Sequence, residues 1–387
     1  MRHLTLALLL LAAPPLAADR VSAQLVNNRV LIPVAVNGLA PASFILDTGA
    51  AATTLEKEYA AQNGIRSAGS TRAMGAAGSI DVGVSGDVVY EFAGRRAATS
   101  RSPLIPLAAV NRRSGRAVQG ILGYEAFISN VVEIDYAGGS VAFHDPKTFR
   151  APKEAVTVPL AFHHKRTPVV NVQLTMPGGR KVSARLLLDT GASTALMLTR
   201  TFVDKNGVEV DGGIETAMGL GVGGATRERT GRIARLDFAG FAFDRPIALL
   251  SRVTKGALGD GAVDGILGGE ILRRFTLHID YKRKQLLLTP NAALGDPIDI
   301  DMTGALFESR DETFTSLVVH TVLESSPAAE AGIRVGDQLR AIDGRAVTPA
   351  QLDEIRRMFK QPERTYTLTL VRDGAERTIT IVTRRMT

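Results

Sequence analysis

The tetrapeptide Asp-Thr-Gly-Ala occurs twice in this chain of 387 residues, and no other feature limits the possible folds as strongly. The first copy begins at Asp47 and the second at Asp189, and each follows three large apolar residues. An apolar run of this length predicts a buried strand, and the glycine permits the turn that ends it. Each copy therefore places a carboxylate at the end of a buried strand, where it is costly unless something compensates it.

Further landmarks follow both copies in the same order, so the chain contains an internal repeat. The two aspartates are 142 residues apart, and the offset is 144 for Met-Gly (74–75 and 218–219) and 145 for both Gly-Ile-Leu-Gly (120–123 and 265–268) and Ile-Asp-Tyr (134–136 and 279–281). A repeat of this kind predicts two lobes of similar structure.

Two carboxylates from such lobes can face each other and share one proton, which makes a general acid and base. For one copy alone, an ordinary strand that ends in a turn is the better interpretation. Two copies in matching contexts favour a catalytic pair at Asp47 and Asp189.

Residues 25–291 resemble the aspartic peptidases of the pepsin and retropepsin superfamily, on the paired Asp-Thr-Gly and the downstream Ile-Leu-Gly. Alanine after each glycine is the retropepsin variant. The resemblance implies a mainly β fold, with two pseudo-symmetric β-rich lobes that form a cleft. Retropepsins dimerise one short chain, whereas this chain carries both halves, so a monomer is expected over an obligate dimer.

The resemblance also implies roles for individual residues. Asp47 and Asp189 would activate a water molecule, and support of this dyad would fall to Thr48, Gly49, Thr190 and Gly191. The glycine-rich stretches around Met74-Gly75 and Met218-Gly219 would be flaps over a bound peptide, one per lobe. An ordinary flexible loop is the alternative interpretation of these stretches.

The N-terminus predicts a secretory signal peptide over residues 1–18, with cleavage possible as late as residue 23. Its apolar run is too short to span a bilayer comfortably, although an uncleaved anchor is the alternative. The chain has no cysteine, so disulfides and thiolate metal sites are excluded. We expect an exported, periplasmic protein without a stable membrane span.

The two lobes are expected over residues 24–150 and 151–291, joined by a linker over 151–159.

Residues 300–387 resemble the PDZ domains of bacterial exported proteases, on the strings Ser-Ser-Pro-Ala-Ala-Glu-Ala-Gly-Ile (325–333) and Val-Gly-Asp-Gln-Leu (335–339). Such a domain is a small α+β unit that binds a peptide between a strand and a helix. The resemblance places this groove at Gly304, Ala305, Leu306, Phe307, Leu352 and Ile355. The alternative is that the apolar residues of the helix pack the domain core.

Neither charge nor histidine spacing indicates a further class of ligand. The formal charge of +7 is spread along the chain without a basic run and interleaved aromatics, so no nucleic acid is expected. The six histidines show no metal-ligand spacing, and no metal or cofactor is expected.

The sequence therefore predicts an aspartic endopeptidase acting on peptides or proteins, with a PDZ module that recruits peptide or regulates. The alternative is a catalytically idle adaptor that binds peptide in the cleft and the PDZ groove. The two intact aspartates favour the enzyme, because an idle site has no chemical need for two costly carboxylates.

Overall fold

The computed structural model describes residues 19–387 except 76–77, 217–219, 222–223, 226–227, 255, 257–258 and 260. Regular structure in this part of the chain is mostly β, as the sequence predicts. No helix within the described residues is long and apolar enough to cross a membrane.

In its described residues, the first lobe is a β-structure with three short helices. Its strands are β1 (Asp19–Ser22), β2 (Gln24–Val26), β3 (Arg29–Val36), β4 (Ala42–Leu46), β5 (Thr54–Glu56), β6 (Ser67–Gly75), β7 (Gly78–Ser85), β8 (Val88–Phe92), β9 (Arg95–Thr99), β10 (Pro103–Ile105), β11 (Gly120–Leu122), β12 (Val131–Asp135) and β13 (Ser140–His144). Its helices are α1 (Lys57–Gln62), α2 (Ala108–Ser114) and α3 (Tyr124–Ile128).

The second lobe repeats this plan. Its strands are β14 (Val156–Pro159), β15 (Ala161–His163), β16 (Thr167–Thr175), β17 (Lys181–Asp189), β18 (Leu196–Leu198), β19 (Asp211–Thr216), β20 (Leu220–Gly221), β21 (Gly224–Ala225), β22 (Glu228–Arg232), β23 (Arg235–Phe238), β24 (Phe241–Asp244), β25 (Ile247–Ser251), β26 (Gly265–Gly268), β27 (Phe275–Asp280) and β28 (Gln285–Pro290). Its helices are α4 (Arg200–Asn206), α5 (Gly269–Leu272) and a 3-10 turn at Ala292–Gly295.

The main sheets of the two lobes have the same strand order. The first runs β6-β7-β10-β5-β11-β4-β3-β8-β9, and the second runs β19-β22-β25-β18-β26-β17-β16-β23-β24. In both, the Ile-Leu-Gly strand lies parallel to the strand that ends in Asp-Thr-Gly, with Ile121 opposite Ile45 and Ile266 opposite Leu187. The repeat in the sequence is thus a repeat of topology.

A separate six-stranded sheet joins the lobes, in the order β1-β13-β12-β27-β28-β14. Its centre is the antiparallel pair β12 and β27, in which Val132 lies opposite Ile279 and Glu133 opposite His278. The predicted linker over 151–159 ends in β14, which pairs with β28. The sequence does not predict this strand, because Val158 is its one buried residue and the segment lacks the apolar run that marks a strand.

The lobes share one hydrophobic core, and the C-terminal domain has its own. This domain comprises β29 (Ala305–Ser309), β30 (Leu317–Val322), α6 (Pro327–Glu330), β31 (Gln338–Ile342), β32 (Arg345–Ala346), a 3-10 turn (Pro349–Gln351), α7 (Leu352–Met358), β33 (Thr365–Arg372) and β34 (Ala375–Val382). Its sheet has the order β29-β30-β31-β33-β34, so β29 is an edge strand.

The C-terminal domain packs against both lobes through polar contacts at α7. Asp353 accepts a hydrogen bond from the backbone N–H of Asn27 at 2.9 Å. Lys360, just after the helix, forms a salt bridge of 3.0 Å with the buried Glu270 of the second lobe. The groove side of this domain therefore faces the two lobes.

Candidate active site

The two Asp-Thr-Gly segments lie at the ends of equivalent strands. β4 ends at Leu46 and β17 ends at Asp189, and the leucines that precede both aspartates are fully buried. The N–H of Asp47 donates to the carbonyl of Leu122 at 3.0 Å, which ties the first turn to the Ile-Leu-Gly strand. The apolar strands therefore fix the backbone positions of both carboxylates.

The structure brings the two carboxyl groups together, each against the glycine of the opposite lobe. A Cβ atom added at Gly49 would lie 2.8 Å from Cγ of Asp189, and one added at Gly191 would lie 2.3 Å from Cγ of Asp47. Both distances are shorter than any real Cβ contact, so these two positions require glycine. The two carboxyl groups are near enough that each influences the pKa of the other.

The backbone supplies unequal numbers of hydrogen bonds to the two carboxyl groups. Oδ1 of Asp189 accepts from the N–H groups of Gly191 and Ala192, both at 2.9 Å. Oδ1 of Asp47 accepts from the N–H of Gly49 at 2.7 Å. Hydrogen bonds to a carboxylate favour its charged form, so Asp189 is better suited to carry the negative charge.

The pKa values of the pair are shifted in the same sense. Burial raises the pKa of Asp47 well above its ordinary value, and repulsion from Asp189 raises it further. Burial also raises the pKa of Asp189, while the hydrogen bonds from Asp47 and Gly191 oppose that rise. Together these effects keep one proton on the coupled pair to a higher pH than an isolated aspartate would hold it.

Two buried threonines brace the turns across the lobe interface. Oγ1 of Thr190 accepts from the N–H of Thr48 at 3.0 Å and donates to the carbonyl of Leu46 at 2.8 Å. Oγ1 of Thr48 accepts from the N–H of Thr190 at 3.1 Å and donates to the carbonyl of Leu188 at 2.5 Å. The four bonds obey the pseudo-two-fold symmetry.

Arg29 is a residue of this site that the sequence reasoning missed. Its Nε donates to the carbonyl of Gly191 at 2.6 Å. Burial lowers the pKa of Arg29, whereas the charges of Asp189 and Asp47 act in the opposite direction. A charged residue at the start of the apolar strand β3 was the available signal.

The Ile-Asp-Tyr repeat also reaches the site, through Tyr136 and Tyr281. Both rings are buried, and within the described structure neither hydroxyl has a hydrogen-bond partner. Burial raises the pKa of both phenols, with a further contribution from the charge of Asp189. These tyrosines form part of the low-polarity surroundings of the carboxylate pair.

The first predicted flap lies at the tip of the β6–β7 hairpin. Gly75 pairs with Gly78, and Met74 is 59% exposed. The hairpin tip reaches the second lobe, because a Cβ atom at Gly256 would lie 2.6 Å from the carbonyl oxygen of Gly75. The second predicted flap, Met218 and Gly219, lies outside the described residues.

The predicted PDZ groove residues divide into two sets. Leu306, Phe307, Leu352 and Ile355 line a cavity of about 580 Å³ between the domain and the lobes. Ala305, by contrast, is fully buried in the core of the domain. The two helix residues also belong to that core, as the alternative interpretation of the helix expects, and their place in a peptide groove stays a prediction.

The loop before β29 has its N–H donors occupied by groups of the domain itself. Oδ1 of Asp301 accepts from the N–H groups of Thr303 at 2.8 Å and Gly304 at 2.9 Å. Oγ1 of Thr303 accepts from the N–H of Ala305 at 3.0 Å. A peptide carboxylate in this loop would have to replace Asp301, whose pKa burial raises to about 6.

Comparison with known families agrees with this geometry. The family model described as aspartyl protease matches residues 32–126 and 172–271, about half of the chain, with one segment in each lobe. The model described as PDZ domain matches residues 318–373. No curated protein matches the chain. The chain belongs to the aspartyl protease family and carries a C-terminal PDZ domain.

Proposed function

We propose that this protein is an aspartic endopeptidase that hydrolyses peptide bonds with a water molecule activated by Asp47 and Asp189. The observation that carries the proposal is the position of these two carboxyl groups, each packed against the Asp-Thr-Gly glycine of the opposite lobe. A family match alone does not establish activity. Here the threonine braces and glycine contacts that hold the pair are all present.

The unequal surroundings of the two aspartates assign their roles. Asp189, with two backbone N–H donors, acts as the ionised base that takes a proton from the attacking water. Asp47, which holds the shared proton, donates a hydrogen bond to the peptide carbonyl oxygen and stabilises the charge that develops there. The proton taken up by Asp189 then passes to the leaving amine, so no covalent intermediate forms.

The direct test is cleavage of a peptide library by the purified mature protein, with and without a statine-type inhibitor that mimics the tetrahedral intermediate. Inhibitable cleavage supports the endopeptidase. Tight binding of library peptides without cleavage at any pH between 3 and 8 would support the idle adaptor instead.

We also propose that residues 1–18 direct export and that the mature protein acts in the periplasm. The basis is the basic, then apolar, then small-residue pattern of the N-terminus. N-terminal sequencing of protein recovered from a periplasmic extract tests this. A first residue between 19 and 24 supports export, and an intact Met1 contradicts it.

Replacing Ala192 with threonine is expected to shift the pH optimum of proteolysis downward. The dyad is active with one proton, and its raised pKa values move that state upward in pH. A hydroxyl at position 192 or 50 can donate to a carboxylate and lower its pKa, so the active window moves to more acidic pH. We expect a mildly acidic optimum in the wild type, measured as a pH–rate profile.

Ala192→Val is the matched control, because valine has the shape of threonine without the hydroxyl. Ala50→Ser tests the equivalent position of the first lobe. Equal profiles for the threonine and valine variants, with both folded, would contradict the role assigned to the hydroxyl.

The PDZ domain is proposed to regulate access of peptide, because helix α2 of the first lobe contacts both walls of its groove. Glu308 on β29 lies 3.4 Å from Arg112 and 3.9 Å from Arg113. Arg356 on α7 donates to the carbonyl of Arg113 at 2.5 Å. A peptide that pairs with the edge strand β29 therefore competes with α2.

The double variant Arg112→Ala/Arg113→Ala is expected to bind a groove peptide about three- to tenfold more tightly than the wild type. The variant removes partly exposed ion pairs worth about 1 kcal/mol in total, and it leaves the PDZ domain unchanged. Fluorescence anisotropy with a labelled peptide selected on the full chain provides the measurement.

The control is Arg200→Ala/Arg235→Ala, which removes two exposed arginines of the second lobe and their ion pairs with Asp204, Asp237 and Asp244. If the peptide competes with α2, this control variant should bind the groove peptide with the affinity of the wild type. Equal affinities for wild type and the α2 variant would show that α2 does not cover the peptide site.

A further inference from the structure

A cluster of two histidines and one glutamate lies on the interlobe sheet, built from residues far apart in sequence. Nε2 of His144 lies 2.8 Å from Oε2 of Glu133, and Nε2 of His278 lies 3.4 Å from the same oxygen. The three ligand atoms all lie within 4.8 Å of one another. The spacing of the histidines in the sequence does not predict this cluster, because the two rings lie 134 residues apart and meet only through the pairing of β13 and β27 with β12.

The sheet holds these side chains in a fixed register. Glu133 on β12 and His278 on β27 are direct partners, and they occupy equivalent positions of the internal repeat. His144 on β13 pairs with Val131, which places it diagonally beside Glu133 on the same face. Three rigid strands therefore preorganise the three groups.

One carboxylate oxygen of Glu133 is bound by Arg20, and the other faces the two histidines. Arg20 on β1 donates to Oε1 of Glu133 at 2.6 Å, which orients the carboxylate and leaves Oε2 toward the imidazoles. The ring of Phe149 packs over both histidines, at 5.1 and 5.3 Å between centroids. His278 is nearly buried, while His144 is 21% exposed and opens the cluster to solvent.

We propose that Glu133, His144 and His278 bind a divalent transition metal ion, with zinc as the first candidate. Two imidazole nitrogens and one carboxylate oxygen are ligands that zinc prefers, and a fourth position faces solvent beside His144. The two ligands on β12 and β13 belong to the first lobe, and His278 belongs to the second. The ion would therefore connect the lobes across the sheet, and its role would be structural.

The competing interpretation is an ion network without metal, in which both histidines donate to Glu133. The two differ in what Zn²⁺ encounters. In the ion network the Nε2 protons of both histidines stay on Glu133 and no saturable site forms, whereas in the metal site zinc displaces those Nε2 protons from the cluster and binds once per chain.

The test is titration of Zn²⁺ into the untagged, chelator-treated mature protein, by calorimetry at neutral pH. We expect one saturable equivalent of zinc and a rise in Tm. His144→Gln, His278→Gln and Glu133→Gln should each weaken binding at least about tenfold and remove the rise in Tm. Because His144 is partly exposed, His144→Gln is the variant expected to disturb folding least, and circular dichroism checks this.

The matched control is His163→Gln/His164→Gln, which removes two neighbouring histidines outside the cluster, with rings 3.9 Å apart. It should bind zinc like the wild type. The proposal is overturned if no saturable equivalent binds, or if His144→Gln binds the equivalent with the affinity of the wild type. It is also overturned if the control variant loses that equivalent.

Discussion

Asp47→Asn and Asp189→Asn are each expected to reduce peptide hydrolysis by at least about a hundredfold while the protein stays folded. Each variant leaves one carboxyl group, so the pair can no longer supply an acid and a base in the same step. General acid–base catalysis contributes about 10²–10⁴-fold, which sets the expected loss. The rate of cleavage of a fluorogenic peptide at the wild-type optimum measures it.

Stability gives an independent expectation for these variants. The pKa values of both aspartates are raised in the folded protein, so their contribution to stability is lost as pH rises through those values. Neutral asparagine removes this penalty, and at pH 7 the variants should be no less stable than the wild type.

The control is Asp135→Asn, at an aspartate of the Ile-Asp-Tyr repeat that accepts the N–H of Gly138 at 2.8 Å. It should keep its activity. If either dyad variant retained more than about a hundredth of the wild-type rate, the assignment of the catalytic pair would be wrong.

Thr48→Val and Thr190→Val are each expected to lower the free energy of unfolding by about 2–5 kcal/mol. Both threonines are fully buried. Valine keeps their shape, but it leaves a backbone N–H and a carbonyl of the turns without their hydroxyl partner. Each buried group left unsatisfied costs about 1–3 kcal/mol. Urea unfolding followed by circular dichroism measures the change.

Thr48→Ser and Thr190→Ser serve as controls, since serine retains the hydroxyl and loses one methyl group. They should keep most of the stability. The double valine variant should lose less than the sum of the single losses, because the two side chains act on the same pair of turns. If the free energy of unfolding of a valine variant lay within about 0.5 kcal/mol of the wild-type value, the threonine hydroxyls would not stabilise the lobe interface.

The sequence predicted the parts of the site that depend on local pattern. Apolar strands that end in Asp-Thr-Gly, and the Ile-Leu-Gly strands beside them, follow from short motifs and their repetition. The two carboxyl groups lie where those motifs place them. The family follows from the same motifs, and the PDZ domain follows from the strings at 325–333 and 335–339.

The remaining features depend on contacts between distant segments, which no periodicity encodes. Arg29 reaches Gly191 across 162 residues, and Arg356 reaches Arg113 across 243. The cluster around Glu133 requires the register of three strands from two lobes. The sequence predicts a linker where β14 forms, because an edge strand with one buried residue lacks the apolar pattern of a strand.

The interlobe sheet has a consequence for how the chain folds. β1 pairs Asp19 with Phe143, and β12 pairs Val132 with Ile279, so each pairing closes a loop of more than a hundred residues. Closing such loops costs entropy before the contacts stabilise anything, and domains with many non-local pairings fold slowly. Until β27 is available, β12 lacks its partner from the second lobe, and the incomplete sheet exposes an edge on which chains can aggregate. The same strands that unite the lobes therefore make folding depend on a chain that is complete through β28.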